Sequence, residues 1–304
     1  MIAPTAREAL AAALGASVQF DVPLARFTSL RIGGPADALA APADRAELAR
    51  TLALCRELAL PLQVLGNGFN TLVRDGGVDG VVLRLQRFRD LRRGEAGDVV
   101  AEAGVTHATL TRFCVLHGLA GLEFGAGIPG TVGGWVTMNA GVPEREVKDA
   151  LRGVVLADGA GRVHCVPRSA LPFRYRSAGL PEGAVVVAAS FAVREADRAD
   201  VESEVERHLA KRAGTQPLDI PSCGSVFKNP PGEFAGRLIE QAGLKGARVG
   251  GAEISPVHAN FIVNRGGASA ADVLALIELA RTRVHEGSGV ALEPEVRIVG
   301  RDAA

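Results

Sequence analysis

The stretch GLEFGAGIPGTVGGWVTMNAG, residues 121–141, decides how this chain is read. It holds seven glycines: Gly121, Gly125, Gly127, Gly130, Gly133, Gly134 and Gly141. Such density is at home in an irregular connection with many positive-φ positions. Ile128, Val132, Val136 and Met138 lie between the glycines, so the segment is also apolar and belongs inside. A buried backbone must find acceptors for its N–H groups. A large polar ligand such as a dinucleotide supplies them.

Working outward, a second glycine loop, LGNGFNTLV (65–73), follows a short strand reading, LQVLG. N–H groups freed around Gly66 and Gly68 can form a nest for phosphate oxygens. Thr71 stands where a Rossmann fingerprint needs its third glycine, and no Gly-Lys-Ser/Thr follows for a P-loop. Alone, this loop reads as a tight turn. Two such loops in one half favour a bound cofactor.

Composition narrows the class. Glycine is 37 of 304 residues, against a usual ~7%. The 34 Lys+Arg balance the 34 Asp+Glu, and 47% of residues are hydrophobic. A disordered chain is excluded, and there is no general field for nucleic acid. The N-terminal MIAPTAREALAAALGASVQF has Glu8 in its apolar run and no basic start, so it reads as an amphipathic helix and not a signal peptide. No apolar run is long enough to span a membrane. Cys55, Cys114, Cys165 and Cys223 form no C-x-x-C pair, so reduced thiols and no metal site are expected, in a cytoplasmic protein.

Periodicity predicts a helix over 44–60 capped by Asp44, strands at 78–85 and 98–105, and a helix over 106–118. It predicts a hairpin over 153–166 turning at Asp158-Gly159, a buried strand at 184–193 and a charged helix over 199–214. A helix up to Gly243, a strand at 258–266, a capped helix over 269–289 and a terminal strand at 290–300 complete the order. The mixture argues α+β. We expect two domains, 1–200 with an internal break near 74, and 201–304.

The second half carries three polar constellations. PSCGSVFKNP (221–230) sets Ser225 after Gly224, but Phe227 rules out a G-x-S-x-G elbow. FRYRSAGL (173–180) flanks the only tyrosine with Arg174 and Arg176, a pairing suited to stacking and to binding a carboxylate or phosphate. EPEVR (293–297) places Glu293 and Glu295 two apart. Taken singly, each is equally a turn or a solvated surface.

Together and in order, the motifs resemble the UDP-N-acetylenolpyruvoylglucosamine reductase family. They are RIGGPA (31–36), LGNGFNTLV (65–73), GIPGTVGGWVTMNAG (127–141), YRSA (175–178), TQP (215–217), CGSVFKNP (223–230), AGLKG (242–246), HANFIVN (258–264) and LEPEVR (292–297), which span almost the whole chain. HANFIVN and SCGSVF resemble the shorter form of the family, without an inserted tyrosine-bearing substrate loop. Two departures stand out: Trp135 in place of a small residue after GTVGG, and GVPERE (141–146) in place of an aromatic–glycine sequence.

The resemblance implies a flavin-binding region of the vanillyl-alcohol-oxidase type followed by an α+β substrate-binding domain. It implies FAD held without a covalent bond, because Phe69 and Asn70 stand where relatives that attach flavin carry a histidine. Gly66, Asn67, Gly68, Phe69, Asn70, Gly130, Thr131, Gly134, Asn139 and Gly141 would hold the FAD. Gln216, Lys228, Asn229 and His258 would hold the UDP-sugar. NADPH would reduce the flavin, and the enolpyruvyl group of UDP-N-acetylglucosamine enolpyruvate would reoxidise it in peptidoglycan precursor synthesis. Arg176 and Glu295 would stabilise the enolate-like charge, and Ser225 would give the proton to C2. A monomer is expected. The rivals are an oxidase on the same fold, a flavin- or nucleotide-sugar-binding module without turnover, and a Rossmann dehydrogenase, which the missing third glycine disfavours.

Overall fold

The structure is a computed structural model and describes residues 2–303. The chain forms two compact units. The first takes Met1–Gln19, Ala38–Gly66 and Gly80–Arg212, and the second takes Phe20–Asp37, Asn67–Asp79 and Ala213–Ala304.

In the first unit, helix α1 (Pro4–Leu14) starts on a proline and buries Ala6, Leu10 and Leu14, four residues apart. Helix α2 (Arg45–Glu57) begins where Asp44 accepts the Glu47 N–H at 2.8 Å, while the Glu47 carboxylate accepts the Ala43 N–H at 2.6 Å. Helix α3 (His107–Leu116) is capped by Thr106. An antiparallel sheet runs in the order Val163–Pro167, Leu151–Ala157, Val185–Phe191, Val99–Glu102, Leu91–Arg93. Its middle strand, Val185–Phe191, is buried at all but one position, as its unbroken apolar run predicts. The hairpin ahead of it turns where Asp158 N–H meets the Arg162 carbonyl. The core gathers Val99, Leu110, Phe124, Trp135, Val136, Leu156 and Phe191. A six-residue helix, α4 (Val132–Thr137), lies inside the stretch read from sequence as irregular. Two adjacent glycines hid its periodicity. Helix α5 (Arg198–Ala213) closes this part of the chain.

The second unit centres on an antiparallel sheet ordered Ser222–Ser225, Phe261–Asn264, Ala252–Ile254, Arg248–Val249. Helices α6 (Ala235–Gln241) and α7 (Ala270–Ser288) share its core through Ile239, Val273, Leu276 and Ile277. Helix α7 opens on a capping box between Ser269 and Asp272 and ends at Gly289 in the left-handed region. Leu30, Ile32 and Leu72 join the same core from distant sequence. The terminal strand is shorter than predicted, only Arg297–Val299, and pairs in parallel with Thr71–Val73. Pro294 lacks the N–H a longer ladder would use.

Candidate active site

Ser225 ends its strand next to a glycine at φ +75°. The backbone just beyond it is held on two sides. On one side Val226 N–H donates to the Asn260 carbonyl at 2.8 Å. The buried Asn260 side chain then reads the next residue like a third strand: its Oδ1 accepts Phe227 N–H at 2.9 Å, and its Nδ2 donates to Phe227 C=O at 2.8 Å. On the other side Val226 C=O accepts N–H groups of both Glu295 (2.7 Å) and Val296 (3.2 Å), and Lys228 N–H donates to Glu293 C=O at 2.9 Å. Ser225 and Glu295, 70 residues apart in sequence, are thus fixed on adjacent backbones. Phe227 and Val226 anchor this pairing in the core, at 2% and 1% exposure.

The first glycine loop is stitched onto the same place. Asn70 Nδ2 donates to Glu295 C=O at 3.1 Å, and Arg297 N–H donates to Asn70 C=O at 3.1 Å. Ser29 Oγ lies 2.6 Å from Ser222 C=O and 2.9 Å from Gly68 C=O, tying loop to strand. A Cβ on Gly68 would meet Phe27 C=O at 2.4 Å, so that glycine is required by close backbone approach.

The expected substrate residues divide. Lys228 Nζ is paired with the exposed Glu293 carboxylate. Asn229 Oδ1 accepts Ala235 N–H at 3.1 Å, at the start of α6. His258 Nδ1 accepts Asn260 N–H at 3.2 Å, its ring lies 4.9 Å from Phe261, and burial lowers its pKa. The Gln216 backbone carbonyl accepts Leu218 N–H. Asn229 and His258 therefore also shape the protein itself.

In the first unit, Arg174–Ser177 is a tight turn closed in both directions, Arg174 N–H to Ser177 C=O (2.8 Å) and Ser177 N–H to Arg174 C=O (3.0 Å). Arg176 sits in it at φ +56°, where glycine would be cheaper by roughly 1 kcal/mol. Its guanidinium lies 4.6 Å from the Tyr175 ring centroid, and its NH1 is 3.3 Å from Glu146 Oε1. Glu146 Oε2 also meets Lys148 Nζ at 2.7 Å and Asn139 Nδ2 at 2.9 Å. Asn139 is fully buried at φ +43°, donates to Arg174 C=O at 3.0 Å and accepts Lys148 N–H at 3.1 Å. Sequence reasoning gave Asn139 to the cofactor and missed Glu146, Lys148, Ser29 and Asn260. The only signal for Glu146 was the charge in the unusual GVPERE segment.

The glycines of 121–141 serve different ends. Missing side chains at Gly125, Gly133 and Gly141 make room for His107, for Ala103 and for the Arg145–Glu146 backbone. A Cβ on Gly130 would meet nothing within 4 Å, and one on Gly66 or Gly134 would meet only Thr131. Among the described residues, no acceptor takes the backbone N–H groups of Gly66, Asn67, Gly68, Phe69 or Asn70. A run of uncommitted backbone donors fits the phosphate oxygens of a dinucleotide.

Trp135 is a core residue at 3% exposure, with ring centroids at 4.1 Å from His107, 5.4 Å from Phe191 and 5.6 Å from Phe124. Among the described residues, neither His107 nitrogen nor Trp135 Nε1 has a hydrogen-bond partner, and the two rings stand edge to face at 88°. Burial, with Arg212 adding a smaller effect, pushes the His107 pKa down to about 3. Burial pushes the Cys114 and Cys223 thiols up to about 12, which leaves them inert.

A glycine loop with uncommitted backbone donors and, on the same ladder, the paired Ser225 and Glu295 define a flavin-dependent oxidoreductase. The model of the FAD binding domain matches residues 36–166, and that of the UDP-N-acetylenolpyruvoylglucosamine reductase C-terminal domain matches residues 216–299. A reductase of that name from Anaeromyxobacter dehalogenans (strain 2CP-C) is 52% identical over 282 residues, covering 92% of this chain and 85% of the relative. One from Geotalea uraniireducens (strain Rf4) is 44% identical over 296 residues, covering 97% and 98%. The crystal structure of UDP-N-acetylenolpyruvylglucosamine reductase from Thermus caldophilus has a TM-score of 0.81 at 39% identity, covering 92% of this chain and 98% of that one. The chain belongs to the UDP-N-acetylenolpyruvoylglucosamine reductase family and is an FAD-dependent oxidoreductase.

Proposed function

We propose that this chain uses NADPH to reduce the enolpyruvyl group of UDP-N-acetylglucosamine enolpyruvate, giving UDP-N-acetylmuramate for peptidoglycan precursor synthesis in the cytoplasm. The observation that carries this reading is the Ser225–Glu295 juxtaposition around the Val226 carbonyl. FAD, bound without a covalent link by Gly66–Asn70 and the open faces of Gly130, Thr131 and Gly134, supplies two-electron hydride chemistry. The chain's own residues do the rest. Hydride addition at C3 of the enolpyruvyl group drives electrons toward its carboxylate, and the growing negative charge needs fixed donors. Arg176 takes that role, and Glu295 joins it as the neutral acid, whose O–H donates. Ser225 gives a proton to C2, which a weakly acidic hydroxyl can do only for a strongly basic carbon. Lys228 and Gln216 meet the UDP diphosphate.

The test is anaerobic. NADPH should bleach the yellow protein, and later addition of the enolpyruvyl UDP-sugar should restore the oxidised flavin spectrum. Bleaching without restoration would reject the substrate. Rapid reoxidation by oxygen alone would favour an oxidase.

A further inference from the structure

We infer that Glu146 is a positioning residue that aims the Arg176 guanidinium, with Asn139 and Lys148 holding Glu146 in turn. The inference rests on the role proposed above for Arg176.

Arg176 has a long side chain on a turn in left-handed backbone. An unrestrained arginine there would spread over many rotamers, and a shift of about 1 Å at a charge-stabilising group can cost roughly 10²-fold in rate. The Tyr175 ring restrains the plane of the guanidinium, and Glu146 Oε1 fixes its direction through NH1. A carboxylate can do this only if it is itself fixed. Glu146 starts a short 3₁₀ turn in a reciprocal cap with Asp149, and its other oxygen meets both the buried Asn139 amide and the Lys148 ammonium. Asn139 also holds the Arg174 carbonyl, so one side chain sets both the turn that carries Arg176 and the carboxylate that aims it.

Charge explains why three groups are needed. An arginine paired with one carboxylate is electrically neutral and would stabilise an enolate poorly. Lys148 shares that carboxylate, so Glu146 is not committed to Arg176 alone. The Arg176 and Glu146 side chains are 15% and 13% exposed, so solvent screens little of this.

The test compares Glu146→Gln, Arg176→Ala and the double variant in the two half-reactions, with flavin content and melting temperature confirming the fold. Glu146→Gln should slow flavin reoxidation by the enolpyruvyl substrate roughly ten- to a hundredfold, and more than it slows reduction by NADPH. The double variant should be no slower than Arg176→Ala. Added guanidinium should rescue Arg176→Ala but not the double variant. If Glu146→Gln reoxidises at the wild-type rate while Arg176→Ala is slow, the inference is overturned. It is equally overturned if the two losses multiply. If Arg176→Ala itself reoxidises normally, the reading of the site fails first. Should Glu146→Gln not fold, Glu146→Asp keeps the charge, withdraws the carboxylate by one methylene and should slow reoxidation by a smaller factor.

Discussion

The two units fix their polar residues by different means. In the second, Ser225 and Glu295 are held by backbone: the Val226 carbonyl takes two N–H groups from the facing segment, and Asn260 completes the ladder where no strand lies. In the first, Arg176 is held by side chains, through Glu146, Asn139 and Lys148. A backbone ladder survives the loss of a side chain that only projects from it, as the Ser225 hydroxyl does. A side-chain network does not, because its removal leaves buried polar groups unpaired. Position should therefore be robust around Ser225 and fragile around Arg176.

The largest test concerns chemistry and not position. Ser225→Ala should leave the fold and flavin reduction by NADPH near normal and slow reoxidation by substrate at least 10²–10³-fold. A parallel fall in both half-reactions would mean that the ladder depends on the hydroxyl after all.

The buried asparagines give the next contrast. Asn139→Ala removes three hydrogen bonds from a fully buried residue and should lower stability by roughly 2–4 kcal/mol while also slowing the Arg176-dependent step. Asn260→Ala should cost a similar amount of stability, with loss of the step following loss of fold. Chemical denaturation beside stopped-flow spectroscopy separates the two.

His107 sharpens the comparison through pH. Its pKa falls from an ordinary 6.5 to about 3 on folding. Between those values the unfolded chain binds the extra proton, so stability declines as pH drops, by up to about 1.4 kcal/mol per unit, and the contribution is fully present above 6.5. His107→Phe should flatten the acid limb of the unfolding curve. An unchanged limb would show that another group titrates there.

The smallest effect is expected at the surface. Glu293→Gln breaks the pair with Lys228, and because Glu293 is 69% exposed, stability should change by less than ~1 kcal/mol in a melt.

Much of the fold was legible. The cap at Asp44, the capped helix from Ser269 and the apolar run 184–193 are local signals, and local physics decides them. Helix α4 was not legible, because Gly133 and Gly134 carry no pattern and the helix forms only where Val132, Trp135 and Val136 find a core. The second departure, GVPERE, became intelligible only when Glu146 met Arg176.

The sequence by itself determined the class, the two glycine loops, the candidate reactive residues and the neutral charge that leaves anions to placed donors. The tertiary structure alone decided which glycines face open space and which make room for His107, Ala103 or backbone. It also decided that residues 20–37 and 67–79 fold with the C-terminal unit, and that Asn70, Ser225 and Glu295 share one ladder. The reason is separation along the chain. Periodicity and capping act over a few residues, whereas a hydrogen bond between residues 70 and 295 is specified by everything that must pack before it can close.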